Sequence, residues 1–246
     1  MSSKLRIGLS GVALPGAKKS FPTEWHDKSR LSYYSSLFNT VEINSTFYKL
    51  PMPTTFEKWA SEVPDDFLFT IKLWREITHA KELEYDLDNL DRFMKAANRI
   101  GNKKGCLLIQ FPASIRFKYI AKVEAILKRL QKLDPSNEWQ KVLEFRHIDW
   151  YNQETYSLLD KYDASIVLHD MPKSKNKTLN KKTNIVYLRF HGVKGDYKGS
   201  YSDDFLQDQA VQIKQWLKQG KSVYVYFNNT MGDAFKNAHT MASYIS

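Results

Sequence analysis

A chain of 246 residues that is 42% hydrophobic and 14% aromatic can build a large packed core, which excludes a disordered or fibrous class. Its single cysteine, Cys106, excludes an intramolecular disulfide, and no apolar run approaches the roughly 20 residues that cross a bilayer. The formal net charge of +10 favours encounter with anions such as nucleic acid or phosphorylated metabolites, and speaks to encounter rather than chemistry.

The N-terminal stretch MSSKLRIGLSG lacks the pattern of a signal peptide, so a reducing, cytoplasmic setting is expected. The first β-type run is RIGLS (6–10), followed by NTVEIN (39–44). Thr54 or Thr55 then offers a cap for the helical pattern FEKWASEV. After FLFTIK (67–72), Asp86 or Asp88 caps NLDRFMKAANRI, which Gly101 ends. CLLIQF (106–111) precedes IAKVEAILKRLQKL, whose apolar residues recur at helical spacing. VLEFR (142–146) leads to Asn152 as the cap of QETYSLLDKY. After SIVLH (165–169) the pattern breaks: MPKSKNKTLNKKTN carries five lysines without helical periodicity and reads as an irregular basic loop. IVYLRFH (185–191) then precedes FLQDQAVQIKQWLKQ, with Asp203 or Asp204 as cap and Gly220 as stop. SVYVYFN (222–228) and DAFKNAHTMASYI complete the chain.

Eight strands alternating with helices predict an α/β fold, a (β/α)8 TIM barrel forming a single domain over residues 1–246. An open doubly wound sheet is the alternative, but no glycine-rich nucleotide turn of the G-x-G-x-x-G type occurs.

Alternation along each strand sorts the side chains. Leu143 and Phe145 share one face of the fifth run, while Glu144 and Arg146 share the other. The same split puts Ser10, Glu42, Asn44, Lys72, Gln110, His169, Arg189, His191 and Asn228 on the faces opposite the apolar ones. In a barrel these faces point inward, and parallel strands bring their polar ends to one mouth. Charges there must pair with one another or bind something, because an unpartnered buried charge costs several kcal/mol or more.

The stretches VEINSTFYKLP (41–51), ITHAKEL (77–83), GCLLIQFP (105–112), VLEFRHIDW (142–150), YLRFHG (187–192) and VYFNNTMGDAFKNA (225–238) resemble the motifs of the YecE-like family, domain of unknown function 72. The resemblance covers nearly the whole chain and implies a TIM barrel, but no particular activity. One departure concerns the turn after the first strand. Leu9 stands where members have a threonine and Val12 where they have a tryptophan, which leaves Trp25 as a substitute cover for a ligand.

The mixed ring suggests an enzyme that binds a small polar anion, a sugar phosphate or phosphoester, and works by acid/base chemistry. Glu144 is the expected base and Glu42 the second candidate, with His169 and His191 as acid/base groups. Lys72, Arg146 and Arg189 are expected to grip the anion, with Ser10, Asn44, Gln110 and Asp170 as further binding groups. Asn228 and Asn229 precede a helix whose N–H groups offer a second anion site. Glu42, Glu144, His169, Asp170 and His191 also form a set that a divalent metal could use, though the arginines beside them would repel it. A nucleic-acid-linked role, as phosphodiester hydrolase or binding protein, rests on the charge and the lysine loop 173–182. A non-catalytic metabolite sensor is the third reading. Cys106 reads as core. Arg75, His79, Trp74, Trp150 and Tyr151 read as loop residues over the mouth.

Overall fold

The computed structural model describes residues 4–245. Residues 1–3 and 246, and with them the start of the N-terminal stretch read above and the ends of the expected domain, lie outside the described residues. All eight expected strands form: β1 (Leu5–Leu9), β2 (Thr40–Ile43), β3 (Leu68–Lys72), β4 (Lys104–Phe111), β5 (Gln140–Phe145), β6 (Ala164–His169), β7 (Ile185–Phe190) and β8 (Ser222–Phe227). They pair in parallel in the order β1-β8-β7-β6-β5-β4-β3-β2, and a bridge between Ser10 and Glu42 brings β1 against β2. The result is a nearly closed barrel with helices between the strands.

The helices are α1 (Arg30–Leu37), α2 (Ser45–Tyr48), α3 (Pro53–Ser61), α4 (Arg75–Thr78), α5 (Leu87–Ala97), α6 (Ile120–Leu133), α7 (Gln153–Lys161), α8 (Asp203–Lys218) and α9 (Ala234–Ile245). Asp86 and Asn152 cap α5 and α7 as expected, accepting from the N–H groups of Asp88 and Thr155. Two caps differ. Pro53 starts α3, since its fixed φ suits a first helical position and it has no N–H to satisfy. Ser202 caps α8, which places Asp203 and Asp204 in its first turn, favourably against the helix dipole. Helix α5 stops at Ala97, and a 3-10 segment carries the chain on to Lys103. The sequence places Tyr33, Tyr34 and Phe38 at helix-to-barrel contacts but gives helix α1 no bounds, because RLSYYSSL buries only Leu31 and Tyr34 and shows little apolar periodicity. Its N-cap is Ser29, which accepts from Ser32 N–H.

No helix joins β6 to β7 among the described residues. The basic loop is instead a strap pinned by amide side chains. Asn180 accepts from Ile166 N–H at 3.0 Å and donates to Ala164 C=O at 3.0 Å. Asn176 donates to Val167 C=O at 3.4 Å. Lys173, Lys175, Lys177, Lys181 and Lys182 are all exposed.

The core is double. Outward-facing residues such as Ile7, Val41, Ile71, Ile109, Leu143, Ile166, Leu188 and Val225 pack against the helices. A smaller inner cluster of Cys106, Leu108, Val142, Val167, Tyr187, Tyr224 and Tyr226 plugs the barrel below the mouth. Cys106 is therefore core, and burial pushes its thiol pKa up. Among the described residues no helix is long and apolar enough to cross a membrane.

Closure between β1 and β2 relies on side chains. Tyr34 of α1 places its hydroxyl in the seam, where it accepts from Leu9 N–H at 2.7 Å and donates to Thr40 C=O at 3.0 Å. Gly8 is required beside it, because a Cβ there would lie 2.2 Å from Thr40 O and 2.9 Å from the Tyr34 hydroxyl. Asn39 stitches the lower seam, accepting from Ile7 N–H and donating to Leu5 C=O. Tyr34→Phe leaves a buried N–H and a buried C=O without this partner. It should cost about 1–3 kcal/mol in urea unfolding, whereas an unchanged midpoint would show that the seam does not depend on this hydroxyl.

Candidate functional site

Arg189 leaves β7 near its C-terminal end and crosses the lumen with 1% of its side chain exposed. Its Nε donates to Glu42 Oε2 at 2.8 Å and its Nη2 to Glu42 Oε1 at 2.6 Å, a bidentate pair with β2. Its Nη1 donates to Glu144 Oε2 at 2.7 Å, which ties in β5. Glu42 also accepts from Ser10 Oγ at 2.7 Å, Tyr187 Oη at 2.7 Å and Asn44 Nδ2 at 3.1 Å. Glu144 has a second partner in Arg146 Nε. Both carboxylates are fully buried and doubly engaged by guanidinium groups.

His191 completes the network. Its Nε2 lies 3.1 Å from both Arg189 Nη1 and Arg146 Nη2. Guanidinium groups only donate, so Nε2 carries the lone pair, and Nδ1–H faces Asp170 Oδ1 at 3.2 Å. Asp170 in turn accepts from His191 N–H at 2.8 Å and from the Tyr201 hydroxyl. His169 is held differently: Met171 N–H donates to Nδ1 at 3.3 Å, which puts the proton on Nε2, toward Tyr151 Oη at 3.0 Å and Phe145 C=O at 3.2 Å.

The electrostatics follow from these contacts. Burial alone would raise the pKa of Glu42 and Glu144. Arg189, with Arg146 beside Glu144, outweighs it, so Glu42 lies below the usual range and Glu144 well below. Burial would favour neutral Arg189, but Glu144 and Glu42 hold it charged. Burial keeps His191 low despite Asp170, and takes His169 down to about 4 despite Glu144. Both imidazoles are thereby biased toward the neutral form.

Above this layer the mouth opens into two adjoining recesses of about 430 and 280 Å³, both bordered by Phe47, Tyr48, Lys72, Gln110, Arg146 and Tyr197. Arg75 and His79 line the first; Asn44, Arg189 and Asn228 line the second. Every charged side chain lining either recess is a cation. Of the residues expected from the sequence, Lys72, Gln110, Arg146, Arg189, Asn44 and Asn228 thus meet at one cavity. Glu42, Glu144, Ser10 and His191 lie among the supports of Arg189 and Arg146 and do not line the recesses. His169 and Asp170 border a separate groove of about 490 Å³ against α8. Asn229 is buried and donates to Gly199 C=O and Asn237 Oδ1. At the turn before α9, where the sequence suggests an anion site, the N–H groups of Met231, Gly232 and Asp233 are given to Tyr197, Asn229 and Gly199.

Lys72 and His79 share the ring of Phe47. The ammonium lies 4.1 Å from its centroid, and the imidazole packs against it edge-on at 4.8 Å. Burial, then Arg189, pushes Lys72 down to about 8 against the pull of Glu144 and Glu42. Burial, then Lys72 and Arg75, pushes His79 down to about 4. Asn44 Oδ1 is buried with no hydrogen-bond partner. The sequence reading passed over Phe47, Tyr48 and Tyr197. The first two follow directly on the second strand in INSTFY, whereas Tyr197 sits in a loop at φ +65° with no local signal. Of the loop aromatics, Trp150 packs instead on Phe145, with ring centroids 4.2 Å apart.

Among the described residues no group of three or more His, Cys, Asp or Glu is placed to hold a metal ion. The reason is visible: the Arg189 guanidinium sits between Glu42 and Glu144, and the His191 lone pair faces arginines.

The family model "Protein of unknown function DUF72" matches residues 6–246. The chain is 26% identical to UPF0759 protein YunF of Bacillus subtilis over 96% of its length and 92% of that protein's. It is 32% identical to UPF0759 protein YecE of Escherichia coli over an 84-residue stretch, 34% of this chain and 31% of that one. A crystal structure of a DUF72 family protein from Enterococcus faecalis superposes with a TM-score of 0.79 at 20% identity, covering 98% of this chain and 95% of that one. The 3-keto-D-glucoside 4-epimerase YcjR of E. coli shares the fold at a TM-score of 0.57 and 13% identity, with 98% of each chain covered.

Two outcomes are expected of the network. Arg189→Met strands two buried carboxylates and should cost about 3–5 kcal/mol in chemical unfolding; a loss below about 1 kcal/mol would contradict the pairing. The pH dependence has a defined sign. His79, His169 and His191 are held below their ordinary 6.5, so the unfolded chain binds more protons as pH falls below that value. Their contribution is complete above pH 6.5 and is lost as pH falls toward 4, and Glu42 and Glu144 add losses of the same sign below 4.5. Melting temperature should therefore drop between pH 7 and pH 5, and a flat profile would contradict the burial of these imidazoles as neutral groups.

Proposed function

The chain belongs to the DUF72 family, and on that premise we propose that its barrel mouth is the site of an enzyme acting on a small polar anion, a hydroxylated phosphoester such as a sugar phosphate. One observation carries the reading: Arg189 and Arg146 offset the charges of Glu42 and Glu144 beneath the floor, which leaves Lys72 and Arg75 as surplus cations in a cavity lined by no carboxylate. The N–H groups of Arg146 other than those given to Glu144 and His191 have no protein acceptor among the described residues, and its planar fork suits a phosphoryl group. Gln110, Asn228 and the unpartnered Asn44 Oδ1 suit hydroxyl groups.

Glu144 is a poor base while two guanidinium groups hold it ionised. We assign proton transfer to His79, which is neutral at pH 7 and faces the cavity. A metabolite sensor would bind the same ligand without turnover, so assaying bound phosphoesters for product separates the two readings. Nucleic-acid binding has its own support in the five outward lysines of the strap, which stand apart from the mouth recesses. It would show as a mobility shift that salt abolishes. The buried single thiol is compatible with a reducing, cytoplasmic setting.

Binding of inorganic phosphate, followed by calorimetry, should weaken as pH rises through about 8, where Lys72 loses its charge. An anion beside Lys72 raises its pKa again, so at pH 8 binding should take up protons, detected by comparing buffers of different ionisation enthalpy. Arg146→Met should weaken binding at least tenfold, about 1.4 kcal/mol. Affinity that is independent of pH and of Arg146 would end the proposal.

A further inference from the structure

Lys72 is set apart from the other cations of the mouth. It is the last residue of β3, and its side chain enters the barrel at a position shared by both recesses. Arg189 and Arg146 are tied to carboxylates, yet the Lys72 ammonium has no hydrogen bond or ion pair among the described residues. It lies over the face of Phe47, 4.1 Å from the ring centroid. The acceptors that would hold it as a structural cation are occupied: each oxygen of Glu42 and Glu144 already accepts from a guanidinium. An amine in a half-buried, apolar-backed position beside fixed positive charge is how proteins make a lysine nucleophilic.

We propose that Lys72 is a covalent catalyst, condensing with the aldehyde or ketone carbon of an anionic substrate to form an imine at the barrel mouth. The inference rests on the reading of the mouth as an anion site, and specifies that the substrate carries a carbonyl as well as its negative group.

The ammonium first gives one proton to solvent in the open mouth. The lone pair of Nζ then forms the C–N bond while the carbonyl π electrons move to oxygen, which takes the proton that the nitrogen sheds. The carbinolamine hydroxyl leaves as water with one proton taken back from solvent, and the nitrogen lone pair closes the C=N bond. Ammonium plus carbonyl gives protonated imine plus water, with no net change in charge or redox state. The resulting iminium is an electron sink for deprotonation or bond cleavage at the adjacent carbon. The depressed pKa supports this: at about 8, about one-tenth of Lys72 is free amine at pH 7, against a few ten-thousandths of an ordinary lysine.

The test is reductive trapping on the full-length protein at pH 7. Glycolaldehyde phosphate and unphosphorylated glycolaldehyde are each incubated with sodium cyanoborohydride, which reduces an iminium to a stable secondary amine, and labelled lysines are mapped by peptide mass spectrometry. Lys72 should be labelled at least about tenfold faster than any surface lysine, faster by the phosphorylated aldehyde, with inorganic phosphate protecting it. Lys72→Arg should abolish that label while the slow labelling of surface lysines continues. Labelling spread over surface lysines, with Lys72 no faster, overturns the proposal even where phosphate still binds. Fast labelling of Lys72 with no preference for the phosphorylated aldehyde and no protection upholds the nucleophile and overturns the anion reading instead.

Discussion

The structure depends on one buried ion cluster, the guanidinium of Arg189 held between Glu42 and Glu144. Three strands that are distant in sequence each contribute a charge that could not be buried alone. The cost is offset only where all three meet in bidentate and hydrogen-bonded geometry, which happens when the barrel closes. Closure at the other side is reinforced by uncharged groups: Tyr34 and Asn39 bridge the seam where β1 and β2 share little backbone pairing. The lumen is thus divided into an apolar plug, a neutralised ionic layer and an open mouth.

That layering determines what the mouth can do. Carboxylates read from the sequence as reactive groups serve as counter-ions, and the guanidinium groups above them inherit fixed orientations. Arg146 is held by Glu144 and by the His191 lone pair, which Asp170 and Tyr201 orient in turn. Such second-layer support preorganises a cationic face without mobile side chains having to be ordered on binding. Two further titratable groups of the mouth, Lys72 and His79, are both biased toward their neutral forms by burial and by the surrounding positive charge.

Much of this was legible in the sequence because strand alternation is a strict geometric rule. Placing Glu42, Glu144, Arg146 and Arg189 on one face needed only residue parity, and the eight runs set the barrel. What parity cannot supply is depth. It does not distinguish Glu144, buried beneath two arginines, from Gln110 at the cavity edge, because pairing partners come from strands far apart in the chain. Cavity walls that come from loops were also hidden: Tyr197 has a left-handed backbone, and Phe47 and Tyr48 sit on a single helical turn with no periodicity to read. The bounds of helix α1 were hidden for the same reason, its role being set by the hydroxyl of Tyr34 rather than by an apolar stripe. The strap after β6 was recognised as irregular, but not that Asn176 and Asn180 make it ordered.

The most direct measurement is a crystal structure of the protein grown with phosphate and, separately, with manganese. The account predicts phosphate oxygens on Arg146, Lys72 and Arg75, with Glu42 and Glu144 still bonded to Arg189 in both crystals. A manganese ion seated between Glu42 and Glu144, with Arg189 swung away, would contradict it.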